Sequence, residues 1–235
     1  MVRRTKAEAE STRHQILDAA EREFLARGVA HTRLQDVAVA AGVTRGAIYW
    51  HFEDKAALFN AMMERAFLPC EAGECPGCPP ADDPLGRLMR QATWPLRVLA
   101  ENEQVQRVFR IAMHQTEYTE ELASVQQRYL EGINQFRDDL QAQLEVASQA
   151  GLLRPGLSLK AVALGLFALV DGLMHHWTLQ PGGFDLVECG DAAVKAYVNG
   201  LRAALPAAPP SATAAAPAAP GRAPRARRSP PARST

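Results

Sequence analysis

Residues Leu34 to Phe52, LQDVAVAAGVTRGAIYWHF, carry the spacing of a helix-turn-helix. Such a unit needs a small residue where its two helices cross, a turn residue that tolerates an unusual backbone angle, and an apolar anchor in the second helix. Ala38, Gly42 and Ile48 stand at those positions, with Val37 and Val43 as supporting core. Thr44 can cap the second helix, from about Arg45 to His51. That helix then presents Thr44, Arg45, Tyr49 and His51 on its outer side. Arginine can grip a guanine edge with two hydrogen bonds, and Thr, Tyr and His suit phosphate and thymine-methyl contacts. Lys55 opens the next helix and adds a positive charge and a helix N-terminus for a phosphate.

On the amino-terminal side, Thr5-x-x-Glu8 reads as a capping box. Ile16, Leu17, Ala20 and Phe24 follow at helical spacing, and Gly28 is placed for a left-handed cap. Thr32-x-x-Gln35 reads as a second capping box for the first helix of the motif. On the carboxy-terminal side, Asp54 precedes a helix over about 55–68, ended or kinked by Pro69. Residues 69–83 interrupt the pattern with Pro, Gly and Cys, and Asp83-Pro84 restarts it. Further helices are expected over about 84–100, 102–116, 120–151, 158–180 and 184–204, with Pro95 bending the first. Strand signals are scarce. The expected fold is therefore all-α, with about nine helices. A three-helix DNA-binding domain spans 1–54, a larger helical ligand-binding and dimerisation domain spans 55–205, and an Ala/Pro/Arg-rich tail spans 206–235. The tail lacks large apolar side chains and is expected to stay disordered.

Composition sets limits. The chain has 235 residues, 26 basic and 26 acidic, and a net charge of zero. That balance argues against a broad polycationic surface, but it conceals a gradient. The last thirty residues hold five arginines and no acid, so the rest sums to −5. The first 65 residues are nearly neutral, with Arg3, Arg4, Lys6 and Arg13 crowding the amino-terminal arm. Specific DNA recognition would rest on a few placed groups. The basic start leads into Ala7-Glu8-Ala9-Glu10, unlike a secretory signal, and the longest apolar run, Ala161 to Val170, is short for a bilayer. A cytoplasmic protein without membrane contact is expected. No phosphate loop, nucleophile elbow or His-x-x-x-His pair is present, so an enzyme is not expected, nor is a cofactor or a resident metal.

Residues 1–65 resemble the DNA-binding domain of the TetR family of bacterial transcriptional repressors. The resemblance rests on Val43-Thr44-Arg45-Gly46-Ala47-Ile48-Tyr49-Trp50-His51-Phe52, followed by Asp54-Lys55 and Leu58-Phe59, and on Thr12-Arg13 and Ile16-Leu17-Asp18-Ala19-Ala20. Within the family the chain is most similar to AcrR-like repressors of multidrug efflux operons, including the opening Arg4-Thr5-Lys6-x-Glu8-Ala9. The likeness weakens through the middle and recovers around Gly172-Leu173-Met174, Trp177 and Phe184-Asp185-Leu186. It implies a homodimer on palindromic double-stranded operator DNA, released by a hydrophobic or cationic small-molecule inducer. It carries DNA contact onto Thr44, Arg45, Gly46, Tyr49, His51 and Lys55, with Arg33 and Trp50 added. Gly46 would allow close approach to the DNA backbone. Trp50 reads either as core or as a sugar–phosphate contact.

The inducer pocket should be large, apolar and sparsely polar. Its candidates are Met63, Phe67, Trp94, Phe109, Met113, Glu117, Phe136 and Phe167, with Glu117 as a buried carboxylate for a cationic ligand. His114, His175 and His176 are alternatives that also fit helix-surface roles. The two last helices, with Ala161, Gly165, Ala168 and Gly172 at small-residue spacing, suit a dimer interface or internal packing. Cys70, Cys75 and Cys78 depart from the family pattern. They read as an incidental loop, a thiol-redox switch or part of a metal site. The alternative function is thus a redox- or metal-responsive repressor.

Overall fold

The computed structural model describes residues 5–71, 83–117 and 119–203, apart from the side chains of 67–71. Among them the chain forms nine α-helices and a single 3-10 turn, with no strand. These are α1 Lys6–Arg27, α2 Leu34–Ala40, α3 Arg45–His51, α4 Lys55–Glu71, α5 Pro84–Glu101, α6 Glu103–His114, α7 Ala123–Gln149, α8 Leu159–Leu179 and α9 Leu186–Leu201, with the 3-10 turn at Glu120–Leu122. The described residues up to Ala203 pack as one compact unit. The tail, 206–235, lies outside the described residues, as do Cys75 and Cys78.

The caps explain where most helices begin. The α1 capping box forms: Glu8 N–H donates to Thr5 Oγ1 at 3.3 Å, and Thr5 N–H donates to the Glu8 carboxylate at 2.8 Å. Asp54 caps α4 through the Ala57 N–H at 2.7 Å, and Asp83 caps α5 through the Gly86 N–H at 2.8 Å. Ser158 and Asp185 do the same for α8 and α9. The expectation for α2 is corrected. Arg33 takes the cap position, and its N–H donates to Asp36 at 3.0 Å. Thr32 is fully buried, and its hydroxyl donates to the Gly28 carbonyl at 2.8 Å, which leaves it unable to cap. Gly28 does adopt a positive φ of 82°, but its ψ of 156° lies outside the left-handed helical region. The expected single helix over 120–151 begins as the 3-10 turn, and α4 runs on to Glu71 past Pro69.

Two layers of packing follow. α1 crosses α2, α4 and α6, which ties the helix-turn-helix to the remainder through a core of Ile16, Leu17, Phe24, Val37, Ile48, Leu58 and Phe59. α5 runs along α7, α8 and α9 and forms the centre of the larger part. Two glycines set close helix spacings here: Gly190, which no sequence motif singles out, and Gly165 of the small-residue stripe. A Cβ on Gly190 would stand 2.2 Å from Cδ1 of the fully buried Leu96, so a side chain there would force Leu96 or α9 to shift. A Cβ on Gly165 would stand 2.4 Å from the Tyr197 hydroxyl, which donates to the Val162 carbonyl at 3.0 Å. Gly165 therefore serves internal α8–α9 packing. After α9, Arg154 N–H donates to the Leu201 carbonyl and Ala203 N–H to the Leu152 carbonyl, closing the α7–α8 turn onto the end of α9.

Candidate DNA-reading surface and ligand cavity

The helix-turn-helix is built as its spacing required. Gly42 holds a φ of 65° in the turn, where a side chain would be strained. Val43 N–H donates to the Ala38 carbonyl at 3.0 Å and sets the angle between α2 and α3. Thr44 caps α3, its Oγ1 accepting from Ala47 N–H at 3.2 Å. Ile48 is fully buried and anchors the helix, and Phe52 is buried beneath it. With that face fixed, the opposite face must be open. Thr44, Arg45 and Gly46 are exposed, Tyr49 is 47% exposed and Trp50 is 74% exposed. Trp50 is thus not core. It meets the half-buried His51 edge-on, with ring centroids 4.6 Å apart. The Arg45 guanidinium lies over the Tyr49 ring at 5.7 Å. Arg33 is exposed at the start of α2.

Lys55 is placed differently from its expectation. It is only 7% exposed, and its ammonium sits 2.9 Å from Glu121 Oε2 on the 3-10 turn packed against α4. In this conformation it is occupied by a carboxylate and is not open to a phosphate. Arg13, named above only for its charge, is held over the Phe52 ring at 5.3 Å and so stands beside the recognition helix. Val39, on α2, is 71% exposed. Periodicity gave no reason to single out either one.

The larger part holds a partly open cavity of about 590 Å³ between α4, α5, α6, α7 and α8. Met63, Trp94, Phe109, Met113, Phe136 and Phe167 all line it. Phe136 and Phe167 meet near-perpendicularly at 6.3 Å, and Tyr129 O–H reaches the Met113 sulfur at 3.8 Å. Phe67 and Cys70 lie outside the described side chains. Glu117 is a correction: it is exposed beyond the end of α6 and does not line the cavity. His114, His175 and His176 do not line it either; His114 Nε2 contacts the Thr178 hydroxyl at 3.1 Å. Burial, then the neighbouring His175 and Arg110 charges, lower the His114 pKa.

Among the described residues the carboxylates that line the cavity are Glu64, Glu131, Asp139 and Asp171, against a single cation, Arg128, which pairs with Glu64 at 3.3 Å. Burial raises the Asp171 pKa, partly offset by His175. Asp171 thus takes the place foreseen for Glu117. It was missed because its position on α8 reads as an interruption of an apolar run, and only the assembled bundle turns that interruption inward. The cavity is an apolar, aromatic chamber with an acidic bias, suited to hydrophobic molecules that carry positive charge.

Comparison with known proteins agrees over most of the chain. Residues 16–62 match the family of bacterial regulatory proteins, tetR family, and residues 83–203 match the MAATS-type transcriptional repressor C-terminal region. The transcriptional regulator TtgR of Pseudomonas putida is 37% identical over 188 residues, covering 80% of this chain and 90% of that protein. The crystal structure of NalD, the secondary repressor of the MexAB-OprM multidrug efflux pump in Pseudomonas aeruginosa, superposes with a TM-score of 0.74 at 33% identity. That match covers 84% of this chain and 98% of NalD. The triclosan complex of SmeT, the repressor of the Stenotrophomonas maltophilia efflux pump SmeDEF, gives 0.70 at 30% identity. It covers 84% of this chain and 96% of SmeT.

Proposed function

The chain belongs to the TetR family of bacterial regulatory proteins, and on that premise we propose that it is a DNA-binding repressor of a multidrug efflux operon, released from its operator by a hydrophobic or cationic small molecule. The observation that carries the reading is one connection. The exposed α3 is mounted through α2 and then α1 on α4 and α6, and those last two helices contribute walls to the acid-lined cavity. A ligand can shift DNA affinity only through different affinity for two arrangements of the protein. Here the walls that would feel the ligand are also the supports of the reading head.

In this proposal residues 1–54 read DNA, 55–205 sense the ligand and dimerise, and α4 joins the two functions. Thr44, Arg45, Tyr49, Trp50 and His51 contact the operator, with Gly46 allowing close approach and Arg33 in support. Lys55 joins them once Glu121 lets go. Met63, Trp94, Phe109, Met113, Phe136, Phe167 and Asp171 contact the inducer. A homodimer forms through the outer faces of α8 and α9. α8 is the one helix among the described residues long and apolar enough to cross a membrane. Its Val162, Leu166, Val170, Met174 and Trp177 are buried within the bundle, while Ala161, Leu164, Ala168 and Leu179 stay exposed. A partner copy would cover those exposed residues. Light scattering at micromolar concentration should give twice the 25.6 kDa chain mass; a monomer would defeat the dimer.

The relatives are transcriptional regulators, and ligand-gated repression is favoured over thiol-redox or metal control through Cys70, Cys75 and Cys78. The test is selection of duplexes from random-sequence DNA by the purified chain, followed by release with rhodamine 6G and with triclosan. The expected outcome is a palindrome with half-sites about one helical turn apart, or a multiple of it, that either compound displaces. No enriched sequence, or release governed by oxidant and not by either compound, would overturn the reading.

A further inference from the structure

Among the described residues two charged side chains are buried, Lys55 and Glu21. Glu21 lies on α1 at 2% exposure, away from both the reading face and the cavity lining. Its Oε1 accepts from Gln104 Nε2 of α6 at 2.8 Å and from an Arg65 Nη2 of α4. Its Oε2 faces Arg107 Nε of α6 at 3.4 Å. Arg65 also reaches Asp18 of α1 through Nη1 at 2.8 Å. One carboxylate therefore joins the scaffold helix of the reading head to two of the five helices that line the cavity, α4 and α6.

α6 is tied to the reading head at its other end as well. Val29 N–H, in the α1–α2 connection, donates to the Gln115 carbonyl at 2.9 Å. Between these two ties the same helix presents Phe109, Ala112 and Met113 to the cavity. A helix of twelve residues is a rigid rod about 18 Å long, so ligand pressure on its middle must move its ends. A buried carboxylate is strongly disfavoured without its partners. When α6 moves, either α1 follows or the Glu21 contacts break as a unit.

We propose that Glu21 is the positioning residue that makes the DNA-reading head follow α6, so that occupancy of the cavity becomes displacement of the recognition helix through the Glu21–Gln104–Arg107 contacts. The proposal rests on the repressor reading above. It assigns a role to a residue that touches neither DNA nor ligand.

The test uses the full chain carrying Gln104→Leu and Arg107→Met, which cuts the α6 side and leaves the Arg65 pair on α4 intact. Arg107 is 41% exposed, so Arg107→Met alone serves where the double variant does not fold. Rhodamine 6G binding and release from the selected palindrome are measured in the same samples. The expected result is dye affinity within about twofold of wild type and dye-free operator affinity within about threefold. The dye concentration for half-release rises at least tenfold, and Glu21→Gln shifts it in the same direction. Arg107→Lys should restore part of the response, because a cation still faces the carboxylate. A purely packing role would not separate dye affinity from the release midpoint. Release at the wild-type dye concentration in these variants would overturn the junction alone. Failure of both rhodamine 6G and triclosan to release wild-type protein would overturn the repressor reading and the junction with it.

Discussion

The DNA-reading surface and the ligand cavity are built in opposite ways. The reading surface comes from nineteen consecutive residues, Leu34 to Phe52. Short-range rules decide it: a small crossing residue, one glycine at positive φ, one capping threonine and one buried isoleucine. The cavity is assembled from five helices spread over residues 60–174. No local rule states which side of a long helix will face it. A surface built locally concentrates its function in single side chains. A chamber built from many helices spreads its function, and its most sensitive points are where helices approach closely or where a charge is buried.

That contrast orders the predictions. Arg45→Ala should have the largest effect. A bidentate arginine–guanine contact carries about 1–3 kcal/mol of discrimination, and the proposed dimer would make it twice. Specific operator binding should vanish in gel shifts at fixed salt while the thermal midpoint stays unchanged, because Arg45 is exposed. Retained operator affinity would mean that the reading is not concentrated in α3. Next is Gly190→Ala, where the added methyl meets the fully buried Leu96. Overpacking of this kind costs about 1–3 kcal/mol, visible in chemical denaturation; an unchanged midpoint would show that α5 and α9 can separate without penalty.

Asp171→Asn tests the acidic bias of the chamber. Rhodamine 6G, a fixed cation, should bind about tenfold more weakly, equivalent to about 1.4 kcal/mol, while triclosan binding changes little. The sign with pH follows from the raised pKa of Asp171. Protonation sets in above the ordinary aspartate range as pH falls, so wild-type dye binding should weaken there, while Asp171→Asn stays flat. Because burial disfavours the charged carboxylate, the variant should also be slightly more stable at neutral pH. Equal losses for both ligands would indicate lost packing and not lost charge. The smallest effect expected is from Glu121→Gln. Freeing Lys55 should raise operator affinity about two- to fivefold and steepen its salt dependence by at most about 0.9 in log–log slope per protomer. No change in either would leave Lys55 without a place on the DNA.

What could be read before folding follows the same division. The all-α class, the capped starts of α1, α3, α4, α5 and α8, and the exposed face of α3 follow from residues close together in sequence. Six cavity-lining side chains, from Met63 to Phe167, were foreseeable from residue type and family resemblance. What eluded reading depends on distance. Thr32 looked like a cap, but its hydroxyl turns back to Gly28. Lys55 looked free, yet a carboxylate 66 residues away holds it. Glu117 and Asp171 exchange places because α6 ends before the one and α8 turns the other inward. Glu21 reads as one more charge on a polar helix until Gln104 and Arg107 are brought against it.

Ligand in the chamber and DNA on α3 should oppose one another through their shared frame of helices. Linkage requires the effect to be reciprocal. The direct measurement is a titration of the selected palindrome complex with rhodamine 6G, recording dye occupancy and operator-bound fraction together. The operator-bound fraction should fall as dye occupancy rises, and the palindrome should weaken dye binding by the same factor. A stable ternary complex, with the dye saturating and the palindrome still fully bound, would contradict that opposition.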